Sequence, residues 1–324
     1  MDKVARLSKE ERSELFTQTA DNRGMTPAIV EKDFWVSWVL KCLYQHEELA
    51  RLLMFKGGTS LSKVYQLIER FSEDIDLILD WRALSDEDPL EKRSNTQQEK
   101  FNRAINDRAK VFIADHLLTL VTDILDGICE CEMEDDPYVI NIKYPGAFSD
   151  EYLRPEVRLE IGPLAAWLPA EEKEISCYAA EEFPQVFDNT QCSVKVVKAE
   201  RTFWDKATIL HQEAHRPDGS VQPPRYSRHY YDLAKLADSE IRRSALADID
   251  LLTNVVEFKQ RFYPRGWARY DLAQPGSFRL IPEGEVLDVV KVDYQAMQNM
   301  IFGEVTDIDS IMETLKSLED EINM

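Results

Sequence analysis

Residues 56–79 read KGGTSLSKVYQLIERFSEDIDLIL. Two signals sit one short helix apart in this stretch. Gly57-Gly58 ends an apolar approach, Leu52-Leu53-Met54-Phe55, and Thr59 opens a helix through SLSKVYQLIER. Glycine lets main chain come close to a phosphate, and the free N–H groups of a helix start favour an anion. Thr59 and Ser60 can cap that helix and also donate hydroxyls to phosphate oxygens. The second signal is DIDLIL, which alternates with period 2 and reads as a strand. Asp74 and Asp76 leave one face of it, while Ile75, Leu77 and Leu79 leave the other toward a core. Two neighbouring carboxylates repel unless a cation lies between them, the arrangement that binds Mg²⁺ through oxygen ligands, water and substrate phosphate. Either signal alone is commonly a helix start or a solvated strand face; the turn–helix–strand combination is the informative object.

Working outward, a third carboxylate is expected on a neighbouring strand. RPEVRLEIG supplies it: Val157, Leu159 and Ile161 alternate inward, so Arg158 and Glu160 share the opposite face. Glu160 is therefore the candidate third metal ligand. N-terminal to the turn, Ser8 and Glu11 form a capping box, and a helix from Thr26-Pro27 carries Ile29, Phe34, Trp35, Trp38, Val39 and Leu43 on a broad face. C-terminal to it, residues 81–97 read as a loop and 98–126 as one long amphipathic helix. Strand-like runs follow at 128–132, 138–143, 156–161 and 194–197, with 163–191 irregular. From Ala199 the pattern turns helical: ERTFWDKATILHQEAH, RHYYDLAKLAD, a helix near 249–262 and a helical tail from 294. These patterns predict an α/β fold: a mixed-sheet domain over 1–198, then a mostly helical domain over 199–324.

The chain has 324 residues and a formal net charge of -21. That charge argues against a general nucleic-acid coat protein, because affinity for the phosphate backbone comes mainly from Lys and Arg. It leaves room for a nucleic-acid substrate held by a local basic patch. No apolar run approaches the ~20 residues that span a bilayer. The five cysteines form no C-x-x-C pair and read as free thiols. A charged, helix-like N-terminus without an apolar core is unlike a secretory signal, and together these features point to a cytoplasmic chain.

A glycine turn, one short helix and a D-x-D strand resemble the nucleotidyltransferase fold related to DNA polymerase β. The resemblance extends to one family, the AbiEii/AbiGii-type nucleotidyltransferase toxins that include the MenT toxins. It is carried by EKDFWV, FKGGTSLSKVYQLIERFSEDIDLIL, VRLEIGP, ERTFWDK and RYSRHYYDLAKL, in that order. It implies a nucleoside triphosphate on Lys56, Gly57, Gly58, Thr59 and Ser60, and Mg²⁺ on Asp74 and Asp76. Lys206 of WDK would reach phosphates or the reacting centre, and Asp232 of YYDL would hold Lys206 or act near the acceptor hydroxyl. The implied activity is transfer of a nucleoside monophosphate to an RNA acceptor, notably the tRNA 3′ end, and the implied partner is a cognate antitoxin. The nucleotide is expected between the D-x-D segment and the helical half.

Other features compete. Arg70 can steady the carboxylates or a phosphate through bidentate bonds, or pair with Glu73 or Asp74. Arg225, Arg228 and His229, interleaved with Tyr226, Tyr230 and Tyr231, can hold phosphate and stack a base, or can pair with nearby acids. His211 and His215 lie one helical turn apart, but Glu213 is one position late for a zinc-protease motif. The rival functions are a non-catalytic binding protein on the same scaffold and a metal-dependent phosphohydrolase. The latter wants a His-Asp pair that the sequence lacks.

Overall fold

A computed structural model describes residues 1–70, 72, 74–150 and 153–324. The chain divides into two compact units. The first comprises Met1–Val64 with Phe71–Val197, and the second comprises Tyr65–Arg70 with Lys198–Met324.

The first unit is built on one seven-stranded sheet of order β3-β4-β5-β2-β1-β7-β6. Its strands are β1 (Leu53–Lys56), β2 (Asp74–Leu79), β3 (Glu130–Met133), β4 (Val139–Lys143), β5 (Glu156–Gly162), β6 (Ala170–Ser176) and β7 (Gln191–Val197). Its helices are α1 (Asp2–Ala5), α2 (Lys9–Arg23), α3 (Pro27–Gln45), α4 (Glu47–Leu52), α5 (Gly57–Lys63), α6 (Asn95–Phe112), α7 (Leu118–Ile124) and α8 (Tyr178–Glu182). The sheet is mixed: β2 runs antiparallel to β1 and parallel to β5, and β1 runs parallel to β7. Leucine, isoleucine and phenylalanine at alternate positions explain why β1, β2 and β5 are central. Ile75, Leu77, Leu79, Phe55 and Leu159 are all fully buried, and each such side chain contributes roughly 1.5–3 kcal/mol on leaving water. On the other face, Ile78 packs with Met54 and Val197 beneath Ala165, Trp167 and Ala170. Asp74 and Asp76 of that same face remain only partly covered.

The capping box at Ser8–Glu11 and the Thr26 cap form as the sequence predicts. Four expectations change. The helix expected from Thr59 through Arg70 is only α5, which ends at Lys63. Residues 53–56 form a strand rather than a mere approach to the turn. The irregular stretch 163–191 contains β6, whose charged residues Glu172, Lys173 and Glu174 are exposed at the sheet edge; an edge strand with polar residues on both faces shows no period-2 signal. The long helix expected over 98–126 is α6 and α7 separated by a π turn at Ile113–Leu117.

The second unit is helical: α9 (Ala199–Glu213), α10 (Ser227–Ala237), α11 (Glu240–Leu246), α12 (Ile249–Phe262), α13 (Gly284–Met297) and α14 (Ile308–Ile322). Residues 65–70, expected in the first domain, cluster with this unit. The Glu69 N–H donates to Tyr231 Oη at 3.3 Å, the Phe302 N–H donates to the Glu69 carbonyl at 2.9 Å, and Arg70 bridges Ile301.

Candidate active site

In the first unit the glycine turn and the carboxylates meet through main chain. Lys56 caps α5 and stands opposite Asp76 in the β1–β2 register. Gly57 has φ +83, the left-handed region where glycine is favoured. A Cβ placed on Gly57 would lie 2.6 Å from Asp76 Cγ, closer than two carbons can approach. The absence of a side chain at Gly57 is thus what lets the turn sit against the Asp76 carboxylate. The hydroxyls expected to face phosphate are instead spent on carbonyls. Thr59 Oγ1 donates to the Asp74 carbonyl at 2.5 Å, and Ser60 Oγ donates to the Gly57 carbonyl at 2.8 Å. Both residues are buried. They lock the turn onto β2, which leaves main-chain N–H groups of the turn as the donors available to an anion.

The parallel register sets Asp74 beside Arg158 and Asp76 beside Glu160. Arg158 Nη1 donates to Glu160 Oε1 at 3.1 Å and to Asp74 Oδ1 at 3.4 Å, while its Nε donates to Glu134 Oε1 at 3.0 Å. Burial works to lower the Arg158 pKa, and Glu134, Asp74 and Glu160 together outweigh it and raise it. The sequence places Arg158 on the acidic face, two positions before Glu160, without assigning it a role; its partners Asp74 and Glu134 come from other segments. Glu160 shares the face as expected, but as a partner of Arg158. Among the described residues no group of three His, Cys, Asp or Glu side chains converges on one metal position. The donor chemistry still fits Mg²⁺, which is commonly bound by one or two carboxylates plus substrate phosphate and water. Asp74 and Asp76, two apart on one face of β2, are the carboxylates that could supply such a pair.

In the second unit, Lys206 on α9 and Asp232 on α10 are brought together by the buried faces of both helices. Lys206 Nζ donates to Asp232 Oδ2 at 2.5 Å. Arg70 completes the cluster with a bidentate pair, Nε to Asp232 Oδ1 at 2.6 Å and Nη2 to Oδ2 at 2.7 Å. All three residues are buried, with Asp232 at 0% exposure. Burial alone would raise the Asp232 carboxyl pKa, but Arg70 and Lys206 hold it well below the usual carboxylate range. Burial, reinforced by Arg70, lowers the Lys206 pKa. Asp232 therefore holds Lys206, one of its two expected roles. Arg70 pairs with Asp232, 162 residues away, rather than with Asp74; Glu73 lies outside the described residues.

Several of the remaining candidates have structural partners, while the Arg225 and Arg228 side chains are exposed. Tyr230 and Tyr231 are fully buried and offer no ring face for stacking a base. The Arg225 and Ser227 N–H groups donate to Asp293 at 2.6 and 2.8 Å. His211 is buried, with Nε2 3.0 Å from the Arg269 carbonyl and Nδ1 accepting from the Arg279 N–H at 3.1 Å. Burial pushes its pKa down to about 4. All five cysteines are free, and no described helix is long and apolar enough to cross a membrane.

Comparison with solved structures finds a likeness to JHP933 from Helicobacter pylori, at 16% identity over 91% of each chain with a TM-score of 0.44. A second likeness is to MenT4, a nucleotidyltransferase toxin from Mycobacterium tuberculosis H37Rv, at 16% identity over 98% of each chain with a TM-score of 0.42. No curated protein matches the chain. The family model described as "Nucleotidyl transferase AbiEii toxin, Type IV TA system" matches residues 38–317, a span that contains the glycine turn, both aspartates, Lys206 and Asp232. The chain belongs to the AbiEii nucleotidyltransferase toxin family of type IV toxin–antitoxin systems.

Proposed function

We propose that this protein transfers a nucleoside monophosphate from a nucleoside triphosphate to a hydroxyl of an RNA acceptor, the tRNA 3′ end, in the cytoplasm. The observation that carries the proposal is the Asp74–Asp76 pair on β2 with the Cβ-less Gly57 seated against Asp76. In this mechanism the turn N–H groups bind the triphosphate, and Asp74 and Asp76 hold Mg²⁺. The cation, when bound, neutralises charge on the phosphates. The acceptor oxygen forms a bond to the α-phosphorus as the bond to the bridging oxygen breaks. Pyrophosphate leaves with the electron pair, and the hydroxyl proton passes to water. Catalysis is mainly positioning and charge neutralisation. Arg158 orients Asp74 and balances the negative face. The proposal extends to Lys206 and Asp232 as functional residues of the second unit, and to an antitoxin protein as the partner that restrains the activity.

The test is incubation of the purified protein with total RNA, Mg²⁺ and each α-³²P nucleoside triphosphate in turn. Label entering tRNA with one nucleotide identifies donor and acceptor together. Asp76→Ala is expected to abolish labelling while leaving the circular dichroism spectrum unchanged; continued labelling by that folded variant refutes the mechanism. A wild type that binds nucleotide and labels no RNA establishes the non-catalytic binding role instead.

A further inference from the structure

Glu31, Lys32 and Asp33 are three consecutive charged residues in the second turn of α3, and all are buried, at 1%, 0% and 6% exposure. Charged side chains are almost never buried without partners. Successive residues on a helix point about 100° apart, so the three reach different segments of the first unit. Glu31 accepts from the Ala147 N–H at 2.8 Å and the Phe148 N–H at 3.0 Å. Lys32 donates to the Arg154 carbonyl at 2.9 Å and to the carbonyl of Glu156, the first residue of β5. Asp33 forms a buried ion pair with Lys63, the last residue of α5, and accepts from the Tyr178 N–H at 2.8 Å. Lys63 Nζ also lies 4.7 Å from the centroid of the Tyr178 ring.

Two of these anchors are the elements that flank the carboxylate strand. β5 pairs directly with β2 and carries Arg158 and Glu160. α5 begins at the glycine turn and is tied to Asp74 by Thr59. α5 is only seven residues long, so its own hydrogen bonds give it little independent stability. One end is fixed to β2 and the other to α3. The segment EKDFWV, which the transfer mechanism leaves without a role, therefore holds the parts of the site in register.

We propose that Asp33 and Lys63 are positioning residues for nucleotide binding, acting by pinning the C-terminal end of α5 so that the Gly57–Gly58 turn stays seated against Asp76, with Lys32 fixing β5 in the same way. This rests on the proposed nucleotidyl transfer. None of the three residues touches the reacting atoms. Their loss is expected to change how well nucleotide is held more than how fast bound nucleotide reacts.

The experiment uses the full chain and three variants: Asp33→Asn, Lys63→Met, and the double variant Asp33→Asn/Lys63→Met, in which the Asn oxygen can still accept from the Tyr178 N–H. Each single change strands a buried partner and lowers stability. The double change removes both charges together, which is often neutral for folding, and so keeps the test open if the singles fold poorly. Hydrogen exchange of the free protein is measured first. The double variant is expected to keep a melting temperature near wild type, with amides of residues 57–63 exchanging at least about tenfold faster and β4 amides unchanged. The apparent KM for the nucleoside triphosphate is expected to rise about tenfold with kcat within about twofold, because uniform binding is lost. Wild-type protection of residues 57–63 in the double variant overturns the proposal, as does a wild-type KM in a variant whose α5 has loosened. If the wild type transfers nothing, the proposed function fails, and the exchange measurement alone decides the role of the pair.

Discussion

Gly57→Ala isolates the contact between the turn and the carboxylate. The added methyl group would sit 2.6 Å from Asp76 Cγ and 2.9 Å from Asp76 Cβ, where carbon pairs rest at about 3.5–4.0 Å. Asp76 Oδ2 is overlapped more deeply still, so relief requires a displacement of at least about 1 Å, by the turn, by Asp76, or shared between them. At φ +83 alanine also carries backbone strain of about 1–2 kcal/mol. A natural fold is stable by about 5–15 kcal/mol, so the variant is expected to fold, with a melting temperature lowered by several degrees. Misplacement of a reacting group by about 1 Å can cost about 100-fold in rate, and a loss of that order in label transfer from the α-³²P donor is expected. Gly276→Ala is the matched control: its φ is +88 and nothing lies within 4 Å of an added Cβ. That variant should show the strain without the rate loss. Transfer by Gly57→Ala within threefold of wild type, with the fold intact, refutes the claim that the close approach of turn and Asp76 matters for the reaction.

Three further outcomes are expected. Asp232→Ala leaves the buried cations Arg70 and Lys206 without their shared carboxylate and should destabilise the second unit by about 3–5 kcal/mol, read by urea denaturation; a loss under 1 kcal/mol would show that the cluster is replaceable by solvent. The pH dependence of that difference follows from the depressed Asp232 pKa. The stabilisation is fully present above the unfolded value of about 3.9 and declines as pH falls from there toward the folded value, so the gap between wild type and Asp232→Asn should narrow below pH ~4. His211, held down to about 4 against about 6.5 when unfolded, should stay neutral in the fold. Stability should therefore fall as pH drops from about 6.5 toward 4, and the His211 ring proton should titrate near 4 by NMR rather than near 6.5.

The amino-acid pattern by itself determined the strand DIDLIL, the face shared by Asp74 and Asp76, the alternation of β5 and the helix caps at Ser8 and Thr26, because strand and cap periodicities are local. It also identified the glycine turn, whose special conformation is written in the residue type. Tertiary structure decided what these pieces touch. Nothing local to Arg70 points to Asp232, 162 positions later, because the partner of a buried charge is set by which helices pack. Likewise, the hydroxyls of Thr59 and Ser60 are legible as donors, yet their acceptors are carbonyls chosen by the seating of α5 on β2. The role of Arg158 emerged only when β2 and β5 were in register, since a cation between carboxylates is a property of two strands. Strand β6 escaped notice because its middle, Glu172-Lys173-Glu174, is charged and exposed at the sheet edge and so shows no alternation. Burial of Tyr230 and Tyr231 removed base stacking from their two open readings: a sequence states a side chain's chemistry, and the packing of neighbouring elements states which side of it meets solvent.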